Sequence, residues 1–182
     1  TIPDYQICML PFLHFLSDSK EHSLREAEES LGKYFKLSDA ERAELLPSGQ
    51  QGIFKNRIGW ARTYLKKACL IESPKRGVFK ITDRGLNILS TNPIRIDAKF
   101  LEQFPEFMEF KDISKTTNGI TSTSVPAAAI LAATTTPEEA IELAYQGLRE
   151  QLAQELLSVI LSCSPIFVEQ LVVDLLVKMG YG

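Results

Sequence analysis

Residues 51–68 constrain this chain most. Phe54, Ile58, Ala61, Leu65 and Ala68 recur at steps of four, three, four and three. That is the period of an α-helix with one continuous buried stripe. The next residues are equally specific. Leu70-Ile71-Glu72-Ser73 has strand character, Pro74-Lys75-Arg76-Gly77 is a turn, and Val78-Phe79-Lys80-Ile81 reads as a returning strand. A helix that runs straight into a tight hairpin needs further helices to cover its apolar stripe.

The flanking sequence supplies them. Apolar residues at helical spacing from Ile7 to Leu16 predict a helix over about 4–17, followed by a turn at 18–22. Ser23 with Glu26 three residues on is a capping box, so a second helix is expected over 24–35 with Leu24, Ala27, Leu31 and Phe35 inward. Ser38 and Glu41 repeat the device for a short helix ending near Leu46, and Pro47-Ser48-Gly49 breaks it. Thr82-Asp83 caps a helix from Arg84 to about Ser90. The order helix, helix, helix, hairpin, helix is that of a winged helix-turn-helix. The expected fold is therefore mainly α with a small β-hairpin, an α+β class.

Charge singles out the same stretch. The chain carries a net charge of −3, yet Lys55, Arg57, Arg62, Lys66, Lys67, Lys75, Arg76 and Lys80 fall within 26 residues that hold one acid, Glu72. On a helical wheel Lys55, Arg62 and Lys66 lie together, with Asn56, Gly59 and Thr63 beside them, opposite the apolar stripe. An apolar back with a cationic and amide front suits a helix that meets phosphates and base edges. Asn56, Arg62 and Lys66 are the candidates for base edges, with Thr63 alongside. Lys55, Lys67, Lys75 and Arg76 are the candidates for phosphates, the last two at the tip of the hairpin. Trp60 and Tyr64 share a third face with Arg57 and are expected to pack against the first helix. The plain alternative is a solvated basic surface.

The C-terminal third is of another kind. Phe100, Leu101, Phe104, Phe107 and Phe110 are expected to pack back on the first domain. Ser114 to Thr136 is rich in Thr, Ser and Ala with almost no charge, and residues 111–136 read as a flexible linker. Thr136-Pro137-Glu138-Glu139 starts a long amphipathic helix reaching about Ser162, with Pro at the first helical position and acids in the first turn. Ser164-Pro165 starts another, which ends at Gly180. Their solvent residues are mostly acidic, a poor DNA surface.

No catalytic constellation is complete. Cys8, Cys69 and Cys163 lack metal-site spacing, His14 and His22 do not complete a site, and there is neither a phosphate loop nor a nucleophile elbow. Three scattered thiols predict a reduced, cytoplasmic setting. No apolar run approaches the ~18 residues of a membrane span. The absence of an initiator Met and the end at Met179-Gly180-Tyr181-Gly182 suggest a piece of a longer protein.

Several segments carry a resemblance. Pro3-Asp4-Tyr5, Glu21 to Glu26, Leu45 to Gly49, Asn56 to Ala68 and Arg76 to Gly85 look like the N-terminal domain of Mrr-type restriction endonucleases. Ser164-Pro165, Phe167, Glu169 to Val172, Leu175-Leu176 and Met179 to Gly182 resemble the first core helix of that family's nuclease domain. The resemblance implies a winged-helix DNA reader at 1–110, a linker at 111–136, and at 137–182 the helical start of a truncated PD-(D/E)xK domain that cuts methylated foreign DNA with Mg²⁺. Glu169 matches that helix's metal-site Glu. The remaining catalytic motif would lie beyond Gly182, so the chain is expected to bind double-stranded DNA without cutting it, in a protein that works as a homodimer if both strands are cut. One departure stands out: the family usually has Gly where this chain has Cys69. Two other readings stay open from the residues alone. One is a transcriptional regulator that dimerises through its C-terminal helices, and the other is a winged helix used for protein contacts.

Overall fold

The computed structural model describes residues 1–117 and 135–181, with side chains described outside 112–134. Residues 118–134, most of the expected linker, lie outside the described residues. The chain divides into two compact units, 1–140 and 141–182.

In the first unit, α1 (Tyr5–Phe15) starts where the Asp4 carboxylate accepts from the Gln6 and Ile7 amides. α2 (Leu24–Tyr34) and α3 (Asp39–Ala43) both start on the expected capping boxes: the Ser23 and Ser38 amides donate to Glu26 and Glu41 at 2.7 and 2.9 Å. α3 ends three residues before the expected Leu46, and a short loop leads to α4 (Ile53–Lys67). The stripe is as the spacing demands, with Phe54, Ile58, Ala61, Leu65 and Ala68 all buried. They meet Cys8, Met9, Phe12 and Leu13 of α1 and Ala27 and Leu31 of α2 in one core. Each fully buried large apolar side chain contributes about 1.5–3 kcal/mol over leaving it in water.

Strands β2 (Ile71–Glu72) and β3 (Val78–Ile81) pair antiparallel, Ile71 against Ile81 and Glu72 against Lys80. Gly77 takes the left-handed conformation the turn requires, at φ 79°. The sheet has a third strand that the sequence pattern does not announce: β1 (His22–Ser23) pairs with β3, giving the order β1-β3-β2 among the described residues. Two residues are too few for a period of two to show.

α5 (Asp83–Ser90) lies close on β3 because its first turn has no room for a side chain. A Cβ on Gly85 would stand 2.3 Å from the Leu70 carbonyl oxygen and 2.6 Å from Ile81 Cγ1. α6 (Ala98–Leu101) and α7 (Pro105–Thr117) close the unit, with Leu101 and Phe107 in the core. The aromatic run therefore does pack back on its own domain. α7 is helical through Thr117, into the region whose composition suggested linker. Arg84 ties these parts together, donating to both Glu106 carboxylate oxygens at 3.0 and 2.9 Å and to the Ala68 carbonyl at 3.2 Å.

α8 (Pro137–Ser162) begins with the last residues of the first unit and runs on into the second, which also holds α9 (Pro165–Lys178). In the second unit Leu148, Leu152, Leu156, Val159, Phe167, Val173 and Leu175 are all exposed.

Candidate nucleic-acid interface

The front of α4 is built by exclusion. Once the stripe faces the core, Lys55, Gly59, Arg62, Thr63 and Lys66 are turned away from it. Lys55 and Lys66 are exposed. Lys55, Asn56, Gly59, Arg62 and Thr63 line one shallow depression of about 310 Å³ with Trp60 and Glu138. A Cβ on Gly59 would meet nothing within 4 Å, so a ligand can approach the backbone there.

Arg62 is the hinge between helix and hairpin. Its guanidinium lies over the Phe79 ring of β3, 5.0 Å from the centroid, and one nitrogen reaches Thr63 Oγ1 at 3.4 Å. Partial burial lowers its pKa from the ordinary guanidinium value. Thr63 in turn donates to the Gly59 carbonyl at 2.9 Å, which directs its hydroxyl back along the helix. Lys75 and Arg76 are exposed at the hairpin tip, where the Ser73 hydroxyl lies 2.9 Å from both the Lys75 and Val78 carbonyls and holds the turn. Lys75 also stands 3.6 Å from Glu21. Lys67 is exposed but placed apart from the others, its ammonium 4.8 Å from the centroid of the Phe110 ring.

Asn56 departs from the expectation of a presented amide. It is 3% exposed, and its side-chain oxygen accepts from the Thr136 hydroxyl at 2.6 Å, with Gln51 3.4 Å from its nitrogen. Two further residues of that segment meet α4. Glu139 accepts from Arg57 Nε at 2.7 Å, and Glu138 accepts from the Trp60 indole. Arg57 also donates to the Ile2 and Pro3 carbonyls at 2.9 and 3.2 Å. Of the two aromatics expected against the first helix, Tyr64 does pack there, on Tyr5 of α1 at 5.2 Å between ring centroids, and also on Phe107 at 5.4 Å. Trp60 meets Tyr64 at 5.9 Å and borders a cavity of about 750 Å³ that Phe107 and Phe110 also wall.

Thr136, Glu138 and Glu139 were not foreseen at this surface. Their sequence announces a helix start and nothing more, because their partners lie about eighty positions away.

The catalytic candidate lies in the second unit. Glu169 is exposed on α9, and among the described residues no three His, Cys, Asp or Glu side chains converge on a possible ion site. Among the same residues no helix is long and apolar enough to cross a membrane.

Comparison with known proteins sorts these features. The family model of the Mrr N-terminal domain matches residues 5–91. Those residues are thus similar to the Mrr N-terminal domain. The match begins with α1 and ends just after α5, so it takes in α4, the hairpin and every basic candidate on them. The chain is also 29% identical over 194 aligned residues to the type IV methyl-directed restriction enzyme EcoKMrr of Escherichia coli. That alignment covers 100% of this chain and 60% of the relative. The resemblance to Mrr-type restriction endonucleases therefore extends from the basic domain through α8 and α9. No solved structure matches.

Proposed function

We propose that residues 1–110 are the winged-helix DNA reader of an Mrr-type restriction endonuclease directed at modified, methylated DNA. In this reading α4 is the recognition helix and the β2–β3 hairpin is the wing. The observation that carries it is the joint cationic surface of the two. Lys55 and Lys66 are exposed on α4, Arg62 stacks on the wing strand, and Lys75 and Arg76 crown the hairpin. Neutralising phosphates releases condensed counterions, so such a surface binds duplex strongly at low salt whatever the net charge of the chain.

Residues 137–182 are then the helical start of the nuclease domain. The exposed apolar side chains of α8 and α9 support this, since isolated soluble surfaces seldom carry so many. Glu169 is the proposed metal-site carboxylate of that domain, and Mg²⁺ its cofactor in the intact enzyme. A single exposed carboxylate does not hold an ion and activate water, so this chain binds DNA without cutting it. The similarity to a restriction enzyme across α8 and α9 favours this reading over a regulator that dimerises there.

The test uses the two lysines that make no structural contact of the kind Arg62 makes with Phe79. Lys55→Glu with Lys66→Glu is expected to weaken duplex binding by roughly 100-fold at low salt, with an unchanged circular dichroism spectrum. A gel-shift titration in which the double variant binds like the parent would sink the proposal.

A further inference from the structure

We infer that the segment Thr136–Glu139 is an internal competitor for the DNA-reading face, docked on α4 where duplex has to engage Asn56. The inference rests on the reading of α4 as the recognition helix. Three observations carry it. First, the dock is a built polar site. Thr136 is fully buried and Asn56 nearly so, and the hydroxyl that donates to Asn56 also accepts from the Glu139 amide at 3.2 Å. Glu139 returns a bond to the Thr136 amide at 3.0 Å while pairing with Arg57, and those two side chains are 7% and 19% exposed. The capping box that starts α8 is thus the same group of atoms that grips α4. Second, Asn56 is 3% exposed, with its side-chain oxygen bonded to Thr136 and its nitrogen to Gln51, so its amide meets no base edge while the segment stays docked. Third, the depression on the front of α4 contains the Glu138 carboxylate together with Lys55 and Arg62. An acid there stands in the cationic ground that a phosphate needs, and like charges exclude one another.

The consequence is a linkage. A ligand that binds one of two states shifts the equilibrium by its differential affinity and no more. Duplex that favours the undocked face must release Thr136–Glu139, and anything that weakens the dock must strengthen duplex binding. Because the dock is the start of α8, engagement of DNA by α4 changes how that helix is anchored.

Trp60 is the only tryptophan in the chain, and its indole donates to Glu138. Its fluorescence therefore reports the dock directly. The experiment compares the full chain with Thr136→Val, which leaves charge unchanged, with Glu138→Gln at an exposed position, and with Glu150→Gln as an equal charge change on the same helix. Emission is recorded without DNA, and duplex affinity is measured by anisotropy of a labelled oligonucleotide duplex. The expected result has four parts: Thr136→Val and Glu138→Gln change Trp60 emission; each binds duplex about fivefold more tightly than the parent, the scale of one lost hydrogen bond; Glu150→Gln does neither; and saturating duplex moves the parent's emission in the direction of Thr136→Val. If the variants change emission while all four proteins bind duplex equally, the dock exists without competing and the inference is overturned with DNA reading intact. Equal tightening by Glu150→Gln would also overturn it. If none of the four binds duplex at low salt, the DNA-reading proposal falls and takes this inference with it.

Discussion

At Cys69 the backbone leaves α4 with φ of 56°, a left-handed conformation that crowds Cβ against the following carbonyl. Ala68 still donates to Tyr64 and Cys69 to Lys66, after which Leu70 turns back to the Leu65 carbonyl at 3.0 Å. These bonds complete a helix terminus of the kind usually closed by glycine. The exposed Cys69 thiol brings no packing that would offset the strain. Cys69→Gly is therefore expected to stabilise the first unit by about 1 kcal/mol, discounted by glycine's greater freedom when unfolded. A rise in Tm of roughly 2–4 °C by calorimetry is the expected reading, and an unchanged or lowered Tm would refute the assignment of strain. This feature was half legible in the sequence: the turn after the helix was expected, and Cys69 stands where the resembling family has Gly, but a residue letter does not give φ. Cys8 is the opposite case. It is buried in the core, and burial pushes its thiol up to about 12, so it is inert.

Elements were more legible than their joints. The stripe of α4, both capping boxes and the hairpin arise from local chemistry that any five to fifteen residues carry with them. Apart from the ends of α3 and α7, the missed parts are long-range. β1 needs Phe79 and Val78 as partners, more than fifty positions from His22 and Ser23, and the Thr136 dock needs Asn56. The hairpin illustrates how the two levels combine. Its turn was readable, but what makes it a useful arm is the Ser73 hydroxyl that holds the turn and Arg62 stacked on Phe79. A hairpin braced in this way presents Lys75 and Arg76 at low entropic cost. In the proposed wing role these two meet phosphates, which carry no sequence information. Lys75→Ala with Arg76→Ala is expected to weaken binding equally for methylated and unmethylated duplexes and to lower the slope of log K against log salt by about 1–2. A change in preference between the two duplexes, with the slope unaltered, would instead make the wing a reader of bases.

At the scale of the whole molecule the two units differ in the charge they expose. Positive charge is concentrated on α4 and the hairpin, whereas the second unit exposes acids such as Glu150 and Glu155 among its many apolar side chains. That division reconciles a net charge of −3 with the proposed DNA-binding role: a local field, not the sum, steers a polyanion. In the proposed reading it also separates binding from chemistry. Hydrolysis of a phosphodiester with a metal needs several oxygen ligands brought to one point, so that the ion is held and its water is activated. The second unit offers Glu169 on α9, exposed and without a converging set of acids among the described residues. The chain also spans 60% of the restriction enzyme it matches. Supercoiled methylated plasmid, incubated with Mg²⁺ and enough of this chain to shift it fully on a native gel, is accordingly expected to remain supercoiled once the protein is removed. Nicked or linear product that disappears with Glu169→Gln would place a working active site within these residues and overturn the separation.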